Sequence, residues 1–192
     1  MWHAMYTDII YVIGNFTSQV VGVKENTKHF FTIRKGMGQT MRVNTKIFGE
    51  IDIEESKIIT FEKGIIGFPD MKKFTLLHDE EEGNGAGIRY LQSLDEPAFA
   101  MPVMDPLVIV PDYNPEVEDE LLKPLGKIEP DSLFVLVTVT VPREIEKMSI
   151  NLQAPIVINA DERKAVQIII EGGEYKIKFP IYDILQERKN KA

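Results

Sequence analysis

From Met41 onward, apolar and polar residues alternate with a period of two over many short stretches. Arg42-Val43-Asn44-Thr45-Lys46-Ile47-Phe48 alternates, Gly49 offers a turn, and Glu50-Ile51-Asp52-Ile53-Glu54 alternates again. Successive side chains of a strand point to opposite faces, so this pattern predicts a hairpin with one wet face. Further strands are predicted over Lys57 to Phe61, Lys73 to His78, Ile88 to Ser93, Phe99 to Val103, Leu107 to Val110, Ser132 to Val141, Met148 to Leu152, Pro155 to Ile158, Ala165 to Ile170 and Glu174 to Phe179. Turn residues separate nearly all of them. Glu171-Gly172-Gly173-Glu174 is the strongest local hairpin signal, because glycine reaches the positive φ a tight primed turn demands, and it predicts antiparallel pairing of Gln167 to Ile170 with Tyr175 to Lys178. Helical spacing is confined to Asn114 to Leu122, where Val117, Leu121 and Leu122 would be buried, and to Tyr182 to Lys189, where Ile181, Ile184 and Leu185 share a face. The eleven prolines sit mostly at strand ends, where a missing N–H costs no ladder bond. The predicted class is all-β, mostly antiparallel: a small β-barrel-like domain with one or two short helices rather than alternating β–α units.

Met1 to Thr40 has a different character. Three apolar clusters (Ile9 to Ile13, Gln19 to Val23, His29 to Ile33) lead into Gly36-Met37-Gly38-Gln39-Thr40, a flexible-linker composition, and Met41 fits an internal start. We divide the chain into residues 1–40, an extension of upstream or vector-derived origin, and residues 41–192, the β domain. Extra strands or a regulatory arm are the alternative for the extension.

At 192 residues the chain supports one hydrophobic core, and 44% apolar with 27% charged residues excludes global disorder. The formal net charge is −8; four basic and two acidic residues in Met1 to Thr40 leave the body near −10. A phosphate backbone would be repelled, so direct nucleic-acid binding is not expected. No apolar run reaches the roughly 18 residues of a membrane helix, and no cationic n-region precedes the N-terminal clusters, so a cytoplasmic protein outside the membrane is expected.

The absence of cysteine removes disulfides, thiolate catalysis and the common structural zinc sites. His3, His29 and His78 have no metal-ligand spacing and no Gly-x-Ser-x-Gly elbow to serve. Gly83-Asn84-Gly85-Ala86-Gly87 follows four acids and precedes a strand, where a phosphate cradle needs a helix, so it reads as a hairpin loop. No cofactor or metal is expected.

Two acidic segments remain, Asp79 to Glu82 and Asp112 to Glu120. They place negative charge beside Tyr113 and a few apolar groups, the mixture that steers and docks a basic protein surface. From them we select Asp79, Glu80, Glu81, Asp112, Glu118 and Asp119 as candidate protein-binding residues; the plain alternative is a solvated face.

Three ordered motifs carry a resemblance: Phe61-Glu62-Lys63-Gly64-Ile65-Ile66-Gly67-Phe68-Pro69-Asp70, Tyr90-Leu91-Gln92-Ser93-Leu94-Asp95-Glu96-Pro97-Ala98-Phe99, and Asn151 to Asn159 followed by Ala165-Val166-Gln167. Together they resemble the flagellar assembly factor FliW family over essentially Met41 to the C-terminal region. The resemblance implies a small antiparallel barrel-like protein of the bacterial cytoplasm that binds flagellin. It also implies binding and antagonism of CsrA, the RNA-binding translational repressor of flagellin mRNA, which would couple flagellin synthesis to secretion. Within the motifs, Gly64 and Gly67 are expected to supply turn conformations, Phe68 to pack beneath them and Pro69 to end the strand; Asn151, Pro155 and Asn159 are likewise expected to be structural, the asparagines holding strand ends through side-chain turns. The reading from another class is a small acidic barrel enzyme using a carboxylate pair.

Overall fold

The structure is a computed structural model that describes residues 39–77, 87–129 and 131–191. The strands are β1 (Thr40–Thr45), β2 (Gly49–Glu54), β3 (Ile59–Phe61), β4 (Lys73–Leu77), β5 (Arg89–Ser93), β6 (Ala100–Met104), β7 (Leu133–Thr140), β8 (Ser149–Ile150), β9 (Ile156–Asn159), β10 (Lys164–Gln167) and β11 (Phe179–Pro180). The α-helices are α1 (Asp119–Leu122) and α2 (Tyr182–Lys191). The predicted mostly antiparallel β class with short helices is what the structure shows. The N-terminal segment (apart from Gln39 and Thr40), His78, the acids 79–82 and the glycine loop up to Ala86 lie outside the described residues.

Strands β3 to β7 pair successively, the last step through the long connection from β6 to β7, and β9 bonds both β10 and β7, so the order β3-β4-β5-β6-β7-β9-β10 returns to β3 as a closed seven-strand barrel. Closure gives every strand of the ring a paired neighbour on both sides over part of its length. One pairing is parallel: β10 runs beside β3 with Ala165 opposite Phe61. The barrel lumen is filled by one side chain layer from every strand, including Phe61, Phe74, Leu91, Val103, Leu136, Ile156, Ile158 and Ala165. The Phe61 and Phe74 rings meet edge to face at 5.1 Å. Each such large side chain contributes about 1.5–3 kcal/mol by leaving water.

A second core lies outside the barrel wall. Tyr90, Met104, Val137 and Val139 turn outward from β5, β6 and β7 and are covered by Met148, Ile150, Leu152, Ile181 and Leu185. Ile181 and Leu185 bury one stripe of α2 while Ile184 is half-buried beside it, as the spacing predicted. The β1–β2 ribbon has the predicted wet face, with Arg42 paired to Asp52 at 2.9 Å and Val43 and Ile53 buried. Its turn is residues 46–48 rather than Gly49, because Thr45 Oγ1 accepts from the Phe48 amide and donates to the Gly49 carbonyl. Phe48 then packs edge to face on Tyr90 at 5.2 Å, which seats the ribbon against the barrel.

Three local expectations are overturned. Leu107 to Val110 is not a strand: Pro106–Val108 is a 3-10 turn, because the Asp105 carboxylate accepts from the Leu107 amide at 2.8 Å and Pro106 supplies a helical φ at the first position. The predicted helix from Asn114 begins only at Asp119, and Leu121 is exposed; Leu125, in the 3-10 turn Lys123–Leu125, takes the buried place beside Val157 and Ile168. The Gly172-Gly173 hairpin does not zip, and the predicted strand Glu174 to Phe179 is reduced to β11 at Phe179–Pro180. Both glycines have positive φ, yet the two limbs bond a third segment: Ile168 and Ile170 donate to Pro155 and Gln153, and Leu152 donates to Lys176.

Candidate functional site

The motif residues form one connected set of turns. Phe61 leaves β3, and Gly64 takes φ +69 with its α-carbon wedged against the following loop: an added Cβ would stand 2.5 Å from the Pro69 carbonyl oxygen and 2.6 Å from that of Phe68. Ile65 and Phe68 then exchange both backbone hydrogen bonds across a two-residue turn whose second residue, Gly67, has φ +87. Only glycine meets both demands cheaply at Gly64, whereas Gly67 is in open space and is constrained by φ alone. Phe68 lies against Phe99 with centroids 4.9 Å apart, and Pro69 is exposed past the turn; contrary to expectation it does not end the strand, because β3 already stops at Phe61 and the chain turns at Gly64.

Beside this turn sits the second motif. The buried Gln92 Nε2 donates to the carbonyls of Ser93, Pro97 and Phe99 at 2.8, 3.0 and 3.0 Å. The Asp95 carboxylate accepts from the amides of Lys72 and Lys73 at 2.6 and 2.7 Å, tying the second motif to the start of β4 just after the first. Neither role was read from the sequence; the signal was an isolated Gln on the apolar side of β5 and an Asp in a turn.

The third motif is pinned at both ends by asparagine. Asn151 Oδ1 accepts from the Gln153 amide, and Asn159 Oδ1 accepts from Asp161 and Glu162. Asn159 Nδ2 reaches further, to the carbonyls of Leu125 and Lys127 at 3.0 and 2.7 Å. Pro155 accepts from Ile168 and so continues the β9–β10 ladder by one step. These contacts leave the motif side chains occupied in holding backbone.

Of the candidate binding acids, Asp112, Glu118 and Asp119 are exposed, with Glu118 at the N-cap of α1 and Asp119 in its first turn. No ion pair or side-chain hydrogen bond joins Asp112 to the other two among the described residues. Asp79, Glu80 and Glu81 lie outside the described residues. Tyr113, read as a surface anchor beside these acids, is instead buried: its hydroxyl donates to the Leu152 carbonyl at 2.7 Å and its ring meets Tyr175 at 4.9 Å. Burial, with Tyr175 beside it, pushes its phenol pKa well above the usual tyrosine range.

The sequence pattern missed the apolar exposure. Ile66 is 49%, Ile169 58% and Ile177 61% exposed, and all three lie on or beside the family motifs. The Ile66 amide donates to Gln167 Oε1 at 3.0 Å, which places the Gly64–Pro69 turn alongside the end of β10. Among the described residues no group of three or more His, Cys, Asp or Glu is arranged to hold a metal ion, and no helix is long and apolar enough to cross a membrane.

The family model described as FliW protein matches residues 42–181. The flagellar assembly factor FliW of Lachnospira eligens is 52% identical over 151 residues, 78% of this chain and 100% of that protein. That of Lachnoclostridium phytofermentans is 44% identical over 151 residues, 79% of this chain and 97% of its own. A crystal structure of the flagellar assembly factor FliW superposes with a TM-score of 0.67 at 33% identity, over 74% of this chain and 97% of that one.

Proposed function

The chain belongs to the FliW family of flagellar assembly factors, and from that membership we propose that it is a non-enzymatic cytoplasmic binding protein that partitions between flagellin and a CsrA-type RNA-binding repressor. The single observation that carries the reading is the family match, which runs through the whole barrel and all three motifs. The charge of the chain supports it. A protein that holds an RNA-binding partner must complement part of a cationic surface without binding RNA itself, and a body near −10 does both.

The arrangement of the chain also fits a binding role. Gln92, Asp95, Asn151 and Asn159 of its motifs are engaged in fixing turns, while acids at Asp112, Glu118 and Asp119 and isoleucines at 66, 169 and 177 are presented outward. Acids accelerate encounter with a basic partner, and apolar groups supply the buried contact of a second one. Occupancy by one partner that lowers affinity for the other would make the protein a switch, with equal coupling in both directions.

Isothermal titration of the purified chain with flagellin, with the repressor, and with each in the presence of the other tests the reading. The expected result is binding of both partners, with flagellin weakening the repressor complex. Binding of neither partner overturns it.

A further inference from the structure

The strand that begins as β10 does not end where its partner β3 ends. Residues 168 and 170 continue the antiparallel ladder, donating to Pro155 and Gln153 at 3.0 and 2.8 Å. In such a ladder alternate residues aim their backbone groups to opposite sides, so Ile169 aims its N–H and C=O to the side on which β3 lies. There β3 has already stopped: its ladder with β10 ends at Phe61 opposite Ala165, and the chain is turned away at Gly64. Among the described residues the reach back from this turn is made by the Ile66 amide, and it is met by the Gln167 side chain, not by backbone. The backbone N–H and C=O of Ile169 have no partner among the described residues.

This is an open strand edge in an otherwise closed barrel, and two of the four most exposed large apolar side chains among the described residues flank it, Ile66 and Ile169. Natural edges are ordinarily blunted by charge, proline or a bulge, and Ile168-Ile169-Ile170 has none of these. Unpaired backbone groups beside exposed isoleucines define the chemistry of what covers them: an extended polypeptide with apolar side chains at alternate positions, adding itself as a strand. A small ligand or a nucleic acid offers no such ladder.

We propose that residues 167–171 are a strand-addition site, and that its occupant is an extended segment of flagellin seated between Ile66 and Ile169. The choice of flagellin rests on the function proposed above. It is favoured over the basic repressor because the site presents backbone and isoleucine with a single carboxylate, Glu171, at its end, whereas three carboxylates suited to a cationic surface, Asp112, Glu118 and Asp119, are exposed elsewhere.

The test combines amide hydrogen exchange of the full chain, alone and with intact flagellin, with flagellin titration of Ile169→Pro and Ile169→Val. Proline at 169 removes the outward N–H without touching the bonds of Ile168 and Ile170, and the extended backbone it imposes on the preceding residue suits a strand. Flagellin is expected to slow exchange at Ile169 and Glu171. Ile169→Pro is expected to weaken flagellin at least tenfold, and Ile169→Val to leave it within twofold. The exchange measurement uses the unaltered chain, so it decides even where the proline variant folds poorly. If flagellin binds the unaltered chain without protecting these amides and Ile169→Pro binds equally, strand addition is overturned while the proposed function stands. If flagellin does not bind the unaltered chain, both fall. If sedimentation shows that the chain self-associates and that Ile169→Pro makes it monomeric, the occupant is a second copy and the flagellin assignment is wrong.

Discussion

Asn159 holds Leu125: its Nδ2 donates to the Leu125 carbonyl at 3.0 Å from a side chain that is fully buried at the end of β9. The same amide donates to Lys127 and accepts from Asp161 and Glu162, so one side chain fixes the β9–β10 turn and the 3-10 turn that covers the barrel wall. Leu125 is thereby seated over Val157 and Ile168.

Removing this amide is expected to be costly. Asn159→Ala leaves two carbonyls, that of Leu125 buried, and two amides to find other partners, and a loss of about 3 kcal/mol is expected. Asn159→Asp keeps the acceptor but turns a donor toward two carbonyls into an anion, so it should be no milder. Urea unfolding followed by circular dichroism measures both; a loss below about 1 kcal/mol for each would show that the turns stand without Asn159.

The two motif glycines should separate cleanly. Gly64→Ala forces a Cβ against two backbone oxygens in a positive-φ turn and is expected to cost about 3 kcal/mol or more. Gly67→Ala meets nothing within 4 Å and should cost about 1 kcal/mol, from φ alone. Thermal denaturation of the pair reads the difference, and equal losses would refute the close-approach explanation.

Tyr113 predicts a pH dependence. Its pKa is raised in the folded chain, so its contribution to stability is fully present below the unfolded tyrosine value near 10 and is lost as pH rises through the folded value. Tyr113→Phe should remove that alkaline slope. At pH 7 it should cost about 1 kcal/mol, for the hydrogen bond to Leu152. Absorbance titration near 295 nm, comparing the two proteins, should show one tyrosine fewer ionising at the highest pH.

Reversal of Asp112, Glu118 and Asp119 to Lys should slow association with the repressor and flatten its salt dependence. These residues are exposed, so each change should alter stability by no more than about 0.5 kcal/mol. Flagellin binding should change less, because the site proposed for it is backbone and isoleucine. Stopped-flow rates across a salt titration measure this, and unchanged repressor kinetics would reduce the acids to a solvated face.

The order of residues is legible where structure is local. Period-two alternation marked which residues face inward, as at Val43 and Ile53 in the ribbon; the spacing of Ile181 and Leu185 marked the buried stripe of α2; and glycines at 64, 67, 172 and 173 all take the positive φ they were read for. These features depend on a few neighbouring residues, and the three motifs carried the family. The tertiary structure decided what pairs with what. Alternation names the faces of a strand but not its neighbour, so the parallel contact of β10 with β3 appears only when the barrel closes. Both limbs of the Gly172-Gly173 loop bond residues 152–155 instead of each other, because Pro155 and Gln153 accept from Ile168 and Ile170 while Lys176 accepts from Leu152, so that segment bonds both limbs. Tyr113 looked like a surface aromatic among acids and is buried because a carbonyl 39 residues away receives its hydroxyl. The exposure of Ile169 was illegible for the same reason: an isoleucine between two isoleucines reads as core, and only the early end of β3 leaves its backbone and side chain without a cover.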